Sequence, residues 1–150
     1  MVKVYKVEKP VSIEVRLSIT KLMMEQMNAL SVCITEEELL KTIDLAMESP
    51  GCEFFAAEYE HKIIGCAFLN TGIGLDKGGP YIWLNDLYVT KKHRRQGVAG
   101  KLLLNVIYWA EQEGFKGIEL ETGINNIATK KLYNSLGFYD IVSKRYGRHL

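Results

Sequence analysis

Residues 94–101 of this chain read Arg94-Arg95-Gln96-Gly97-Val98-Ala99-Gly100-Lys101, small side chains set among cations. They follow an apolar, strand-like run at residues 81–89 and open a helical run at residues 98–113. Strand, small-residue turn and helix in that order aim several backbone N–H groups at one spot, where the helix dipole adds positive potential. Lys91, Lys92, Arg94, Arg95 and Lys101 reinforce it. The chemistry implied is a seat for a multiply charged phosphate group, belonging to a phosphorylated cofactor or substrate.

The rest of the chain must hold that seat. A length of 150 residues favours one domain over residues 1–150, with about 68–70% of the unfolded surface buried. An apolar fraction of 47% and a charged fraction of 25% match an ordinary soluble globular protein. A net charge of +1 does not favour nucleic acid as a partner. A second basic cluster, at residues 144–149, suits either substrate contact or a solvated tail. Cys33, Cys52 and Cys66 sit at no metal-like spacing, so we expect buried structural thiols, no metal and a reducing, cytoplasmic setting. Residues 1–10 lack the apolar stretch of a secretory signal, and no apolar run approaches about 18 residues, so no membrane association is expected.

Periodicity then orders the elements. Residues 2–7 suggest a strand ended by Pro10, and residues 13–30 a helix whose Met23, Met24 and Met27 read as core. Thr35 and Glu38 form a capping box for a second helix that stops at Ser49-Pro50-Gly51. Residues 54–59 and 62–69 form a hairpin about Glu60-His61, with His61 a solvated turn residue. Four glycines in residues 71–80 suggest a flexible connection, either a substrate-gating loop or a long hairpin tip. After the strand at 81–89 and the helix at 98–113, ended by Gly114, come a strand at 116–121 and a short helix through Leu136 capped by Asn125 or Asn126. Residues 138–142 and 143–148 read as terminal strand material. The expected fold class is α/β: a mixed, mostly antiparallel sheet with one parallel pair from a right-handed crossover, and helices on both faces.

Three phosphate-seat patterns compete. A P-loop fails because Arg95 stands at its first glycine and Leu102 at its Ser/Thr. A Rossmann fingerprint meets Ala99 and Leu102 at its second and third glycines. The third pattern, R/Q-x-x-G-x-G/A, matches Arg94-x-x-Gly97-x-Ala99. Two further segments agree with it: Leu84-Asn85-Asp86-Leu87-Tyr88-Val89, and Asn126-x-x-Thr129-x-x-Leu132-Tyr133-x-x-x-Gly137-Phe138. On these segments the chain resembles the GNAT superfamily of acyl-CoA-dependent N-acetyltransferases, and the element order resembles it throughout.

The resemblance implies acetyl-CoA as co-substrate, with its pyrophosphate on Gln96, Gly97, Val98, Ala99, Gly100 and Lys101, and with Arg94 and Arg95 facing phosphate or solvent. It implies a pantetheine arm paired along Leu87, Tyr88 and Val89, where the parallel strands splay at a bulge. A backbone N–H near Leu87 or Tyr88 would stabilise the oxyanion. Asn126 and Thr129 fall in the segment that contacts the cofactor arm, and Asn126 also suits a plain N-cap. Tyr133 matches the usual general acid. Asn85 stands where many members carry a basic Glu, and an amide cannot accept a proton. Asp86 serves as base only if a bulge re-aims it, and is otherwise structural; Glu119, Glu121, Asp76 and His93 are alternatives through water. The implied reaction is acetyl transfer to a primary amine, small molecule or protein, in a ternary complex, with a homodimer as a common assembly. The alternative is a non-catalytic acyl-CoA-binding sensor.

Overall fold

A computed structural model describes residues 1–123 and 126–150. Five strands pair in the order β1-β2-β3-β4-β5: β1 (Lys3–Lys6), β2 (Cys52–Tyr59), β3 (Lys62–Gly74), β4 (Gly79–Val89) and β5 (Ile118–Leu120). The pairs from β1 to β4 are antiparallel, and β4 and β5 run parallel. Helices α1 (Ile13–Ala29) and α2 (Glu36–Glu48) cover one face; α3 (Val98–Gln112) and α4 (Ile127–Ser135) cover the other. The mixed sheet with helices on both faces is the architecture expected.

Strand alternation sorts the core into two layers. Phe54, Ala56 and Cys66 face α1 and α2, with Ile19, Met23, Ile43 and Met47. Phe55, Ala57, Ala67, Leu69, Ile82 and Leu84 face α3, with Leu102, Leu103 and Val106. Met24 and Met27 pack against the first layer, as the core reading of the methionines requires. Phe55 is 1% exposed, its ring edge-on to Trp109 at 5.6 Å. Phe55→Ala should cost about 3–5 kcal/mol, read as a lower urea midpoint at unchanged slope.

Local chemistry explains the ends. Thr35 Oγ1 accepts from the Glu38 N–H while the Glu38 carboxylate accepts from the Thr35 N–H, the reciprocal capping box expected. Glu60 and His61 both have positive φ, the geometry that a two-residue hairpin demands even without Asn-Gly.

Three expectations need correction. Residues 71–80 follow the long-hairpin alternative and not the flexible connection: β3 continues to Gly74 and pairs Gly72 with Tyr81 and Gly74 with Gly79, so only residues 75–78 form the tip. Two of the glycines serve close approach: a Cβ on Gly74 would meet the Tyr81 ring at 3.2 Å, and one on Gly79 the Lys116 side chain at 3.3 Å. Residues 138–150 form no strand. A strand needs a ladder partner, and β5 offers only three residues; Tyr139, Ile141, Val142 and Tyr146 stay exposed. Cys66 is buried and Cys52 half-buried, but Cys33 lies exposed beyond the end of α1. Asn125, the other candidate cap, lies outside the described residues; Asn126 caps α4.

Candidate active site

The site begins with a defect in β4. The β3–β4 register steps from Leu69↔Leu84 to Phe68↔Asp86, leaving Asn85 without a partner. One extra residue reverses the alternation beyond it. Leu84 faces the α3 layer, yet so do Leu87 and Val89, while Tyr88 joins the α1/α2 layer. Asp86, two residues from Tyr88 and opposite Phe68, shares the α1/α2 face. Asn85 is also on that face, tied to Asn70 of β3. The bulge therefore sets two consecutive polar side chains on one side of the sheet, the re-aiming that Asp86 required.

The same point marks where β4 leaves β5. Parallel pairing runs only from Ile82↔Ile118 to Leu84↔Leu120, and β4 continues to Val89. The Thr90 N–H donates to the Ile64 carbonyl at 2.8 Å. By alternation the backbone groups of Tyr88 and Asp86 also point at β3, and those of Leu87 and Val89 point into the gap on the β5 side. Of the two N–H groups considered for an oxyanion, Leu87 faces the gap and Tyr88 does not. The Tyr88 side chain is likewise turned away: its hydroxyl donates to Glu25 of α1 at 3.3 Å, and burial and that carboxylate push its pKa up. Thr90 Oγ1 donates to the same carboxylate at 2.8 Å.

The gap leads to the turn expected to seat phosphate. A 3₁₀ turn (Lys91–His93) carries the chain from β4 to Gly97, which caps α3 at φ 78° without a side-chain bond. The first intrahelical bond is donated by Lys101 to Gly97, so the N–H groups of Val98, Ala99 and Gly100 lack helical partners. Among the described residues, no atom beyond its chain neighbours lies within 4 Å of a Cβ built on Gly97. Three free donors, an open approach and Lys101 fit a diphosphate, and the gap beside Leu87 and Val89 fits an extended arm. Arg94 is used internally: its Nε donates to the Val89 carbonyl at 3.0 Å and its guanidinium lies 5.3 Å from the Tyr88 ring centre. Arg95, at φ 61°, and Gln96 are exposed on the turn. A groove of about 660 Å³ adjoins it, lined by Tyr59, Lys62, His93, Gln96 and Lys101 among others. Gly97→Val would force a branched side chain into the left-handed region at a cost of about 1–2 kcal/mol and crowd the seat. We expect at least about tenfold weaker acetyl-CoA binding by calorimetry, with the protein still folded.

Tyr133 packs on the α3 layer with Leu132 and Leu136, its ring 5.7 Å from Phe138. Its hydroxyl makes no hydrogen bond among the described residues, and burial pushes its pKa up. Asn126 Oδ1 accepts from the Thr129 N–H at 3.1 Å, so the capping reading of that side chain is realised. Asp86 is half-buried, has no ion pair or hydrogen bond among the described residues, and desolvation holds its carboxyl above the ordinary range. The other candidate bases are occupied: Glu119 by Lys77, Glu121 by Arg145, and Asp76 by Lys77 at 3.4 Å. His93 lies against Tyr59 on the phosphate side. Sequence reasoning missed Asn70 and Cys52, whose side chains order Asn85; only the strand register brings them there. Among the described residues no group of three His, Cys, Asp or Glu could hold a metal, and no helix is long and apolar enough to cross a membrane.

The mixed sheet opened at a β4 bulge above the α3 cap is the fold of solved acetyltransferases. The model of the acetyltransferase (GNAT) family matches residues 19–138, and the chain belongs to that family. It is 28% identical over 109 residues to human N-acetyltransferase 8, covering 73% of this chain and 47% of that protein. It is 32% identical over 102 residues to the probable N-acetyltransferase camello of Xenopus laevis, covering 68% and 45%. The chain thus spans about half the length of these relatives. Among solved structures, a probable acetyltransferase superposes with a TM-score of 0.86 at 19% identity, covering 99% of this chain and 97% of that one. Aminoglycoside N-acetyltransferase AAC(6')-Iy in complex with CoA gives 0.80 at 18%, covering 99% and 95%.

Proposed function

We propose that residues 1–150 act as one acetyl-CoA-dependent N-acetyltransferase domain that moves an acetyl group directly to a primary amine in a ternary complex. The observation that carries this reading is the continuity of β4: released from β5 at Leu84, it runs through Leu87 and Val89 straight to the three free N–H groups at the start of α3. Acetyl-CoA, when bound, supplies a thioester carbonyl activated toward an amine. The Val98, Ala99 and Gly100 N–H groups with Lys101 bind its diphosphate, and the β4 edge orients its arm. The Leu87 N–H meets the negative charge that develops on the carbonyl oxygen. Asp86, on the α1/α2 face, takes the proton of the arriving ammonium; its missing partners and raised pKa suit a base. Tyr133, on the α3 face, gives a proton to the departing sulfur. Acid and base flank the gap from opposite faces of the sheet, so neither must cross the path of the transferred group. A small-molecule acceptor is favoured, since AAC(6')-Iy has also been solved with a CoA–aminoglycoside bisubstrate analogue. The cytoplasmic setting and the homodimer belong to the same proposal.

The test is calorimetry with acetyl-CoA, followed by thiol release against spermidine, an aminoglycoside and lysine peptides. Binding with amine-dependent thiol release supports the transferase. Binding without release from any amine supports the sensor, and no binding defeats both.

A further inference from the structure

The amide at the bulge is held in a chain of side-chain hydrogen bonds. Cys52 Sγ lies 3.1 Å from Asn70 Oδ1 and donates to it; Asn70 Nδ2 donates to Asn85 Oδ1 at 2.7 Å. Burial pushes the Cys52 thiol pKa up, which keeps it a donor. Each amide has one accepting and one donating end. The chain from Cys52 through Asn70 engages the Asn85 oxygen and leaves the Nδ2 donors unpaired among the described residues, on an exposed side chain. Asp86 follows immediately, on the same face because of the bulge. A carboxylate for the ammonium and an N–H donor thus stand on consecutive residues, whose Cα atoms are about 3.8 Å apart.

We propose that Asn85, oriented by Asn70, reads a hydroxyl or carbonyl oxygen on the acceptor beside its reacting nitrogen, so that amines bearing such an oxygen are preferred over plain alkyl polyamines. Asn85 is the specificity residue and Asn70 its positioning residue; the assignment rests on the transferase reading above. An acceptor without the oxygen leaves the Asn85 donors facing it unpaired, and one hydrogen bond lost at such a site is worth about tenfold.

The experiment compares kcat/KM for 1-amino-2-propanol with that for propylamine, which differ by one hydroxyl. The ratio is followed from the parent protein to variants, which cancels the different basicities of the amines. Asn85→Ala should lower the ratio about tenfold. Asn70→Asp cannot donate to Asn85, so the Asn85 amide turns its oxygen outward and the ratio falls similarly; Asn70→Ala should fall between. The KM for acetyl-CoA should not follow these changes. An unchanged ratio across the variants, with transfer intact, overturns this assignment alone. Transfer to neither amine, with thiol release retained on the panel of spermidine, aminoglycoside and lysine peptides, also overturns this assignment alone; acetyl-CoA binding with release from no amine overturns the transferase reading and this assignment with it.

Discussion

Tyr133→Phe lowers kcat by about 10²–10⁴-fold, the range for losing a positioned general acid, while the calorimetric Kd for acetyl-CoA stays within about twofold. The asymmetry follows from the side chain's surroundings. The ring packs on the α3 layer and against Phe138, and Phe preserves those contacts. The hydroxyl bonds to nothing among the described residues, so its loss leaves no orphaned partner and little stability changes. Burial raises its pKa, so it is protonated at neutral pH and able to donate. Single-turnover thiol release isolates the step. An unchanged kcat would make Tyr133 a core aromatic with an idle hydroxyl.

Asp86→Asn carries the second large effect, and its sign is opposite for rate and stability. As the proposed base, Asp86 should contribute about 10²–10⁴ in kcat, and the parent pH–rate profile should show an acidic limb above the ordinary aspartate value of about 3.9, because desolvation raises this carboxyl. The variant should lose both rate and limb. For stability, a carboxyl raised on folding favours the native state at low pH. That contribution is complete below the unfolded pKa and disappears as pH rises through the folded one. At neutral pH the charged, half-buried, unpartnered carboxylate therefore costs stability, and Asn removes the cost. Thermal unfolding should show a higher Tm for Asp86→Asn at pH 7, with the gain vanishing near pH 3. A variant that loses stability at pH 7 while keeping its rate would mark Asp86 as structural.

Human N-acetyltransferase 8 and camello are longer than this chain and differ from it at most aligned positions. The acceptor is therefore argued from this chain's own side chains, Asn70, Asn85 and Asp86 above all.

Much of this was legible in linear sequence because it depends on near neighbours. The capping box at Thr35 and Glu38, the phosphate turn before α3 and the signature through Tyr133 are read within a dozen residues, as steric and hydrogen-bonding rules act locally there. Glycine-rich residues 71–80 left a gating loop and a long hairpin open, because glycine permits flexibility and close packing alike, and neighbours such as Tyr81 across the ladder select the packed hairpin. The terminal run at 138–148 misled for the converse reason: strand-like composition forms no strand without a neighbour.

Composition, local signatures and element order thus determined by themselves the family and the mixed sheet, and pointed to the turn before α3 as the proposed phosphate seat. Which face Asp86 addresses, which backbone N–H enters the gap, and that Asn70 from β3 orients Asn85 were decided only in three dimensions. A single unpaired residue in one strand inverts every side chain beyond it, and that register is a property of two strands together, not of either one's sequence.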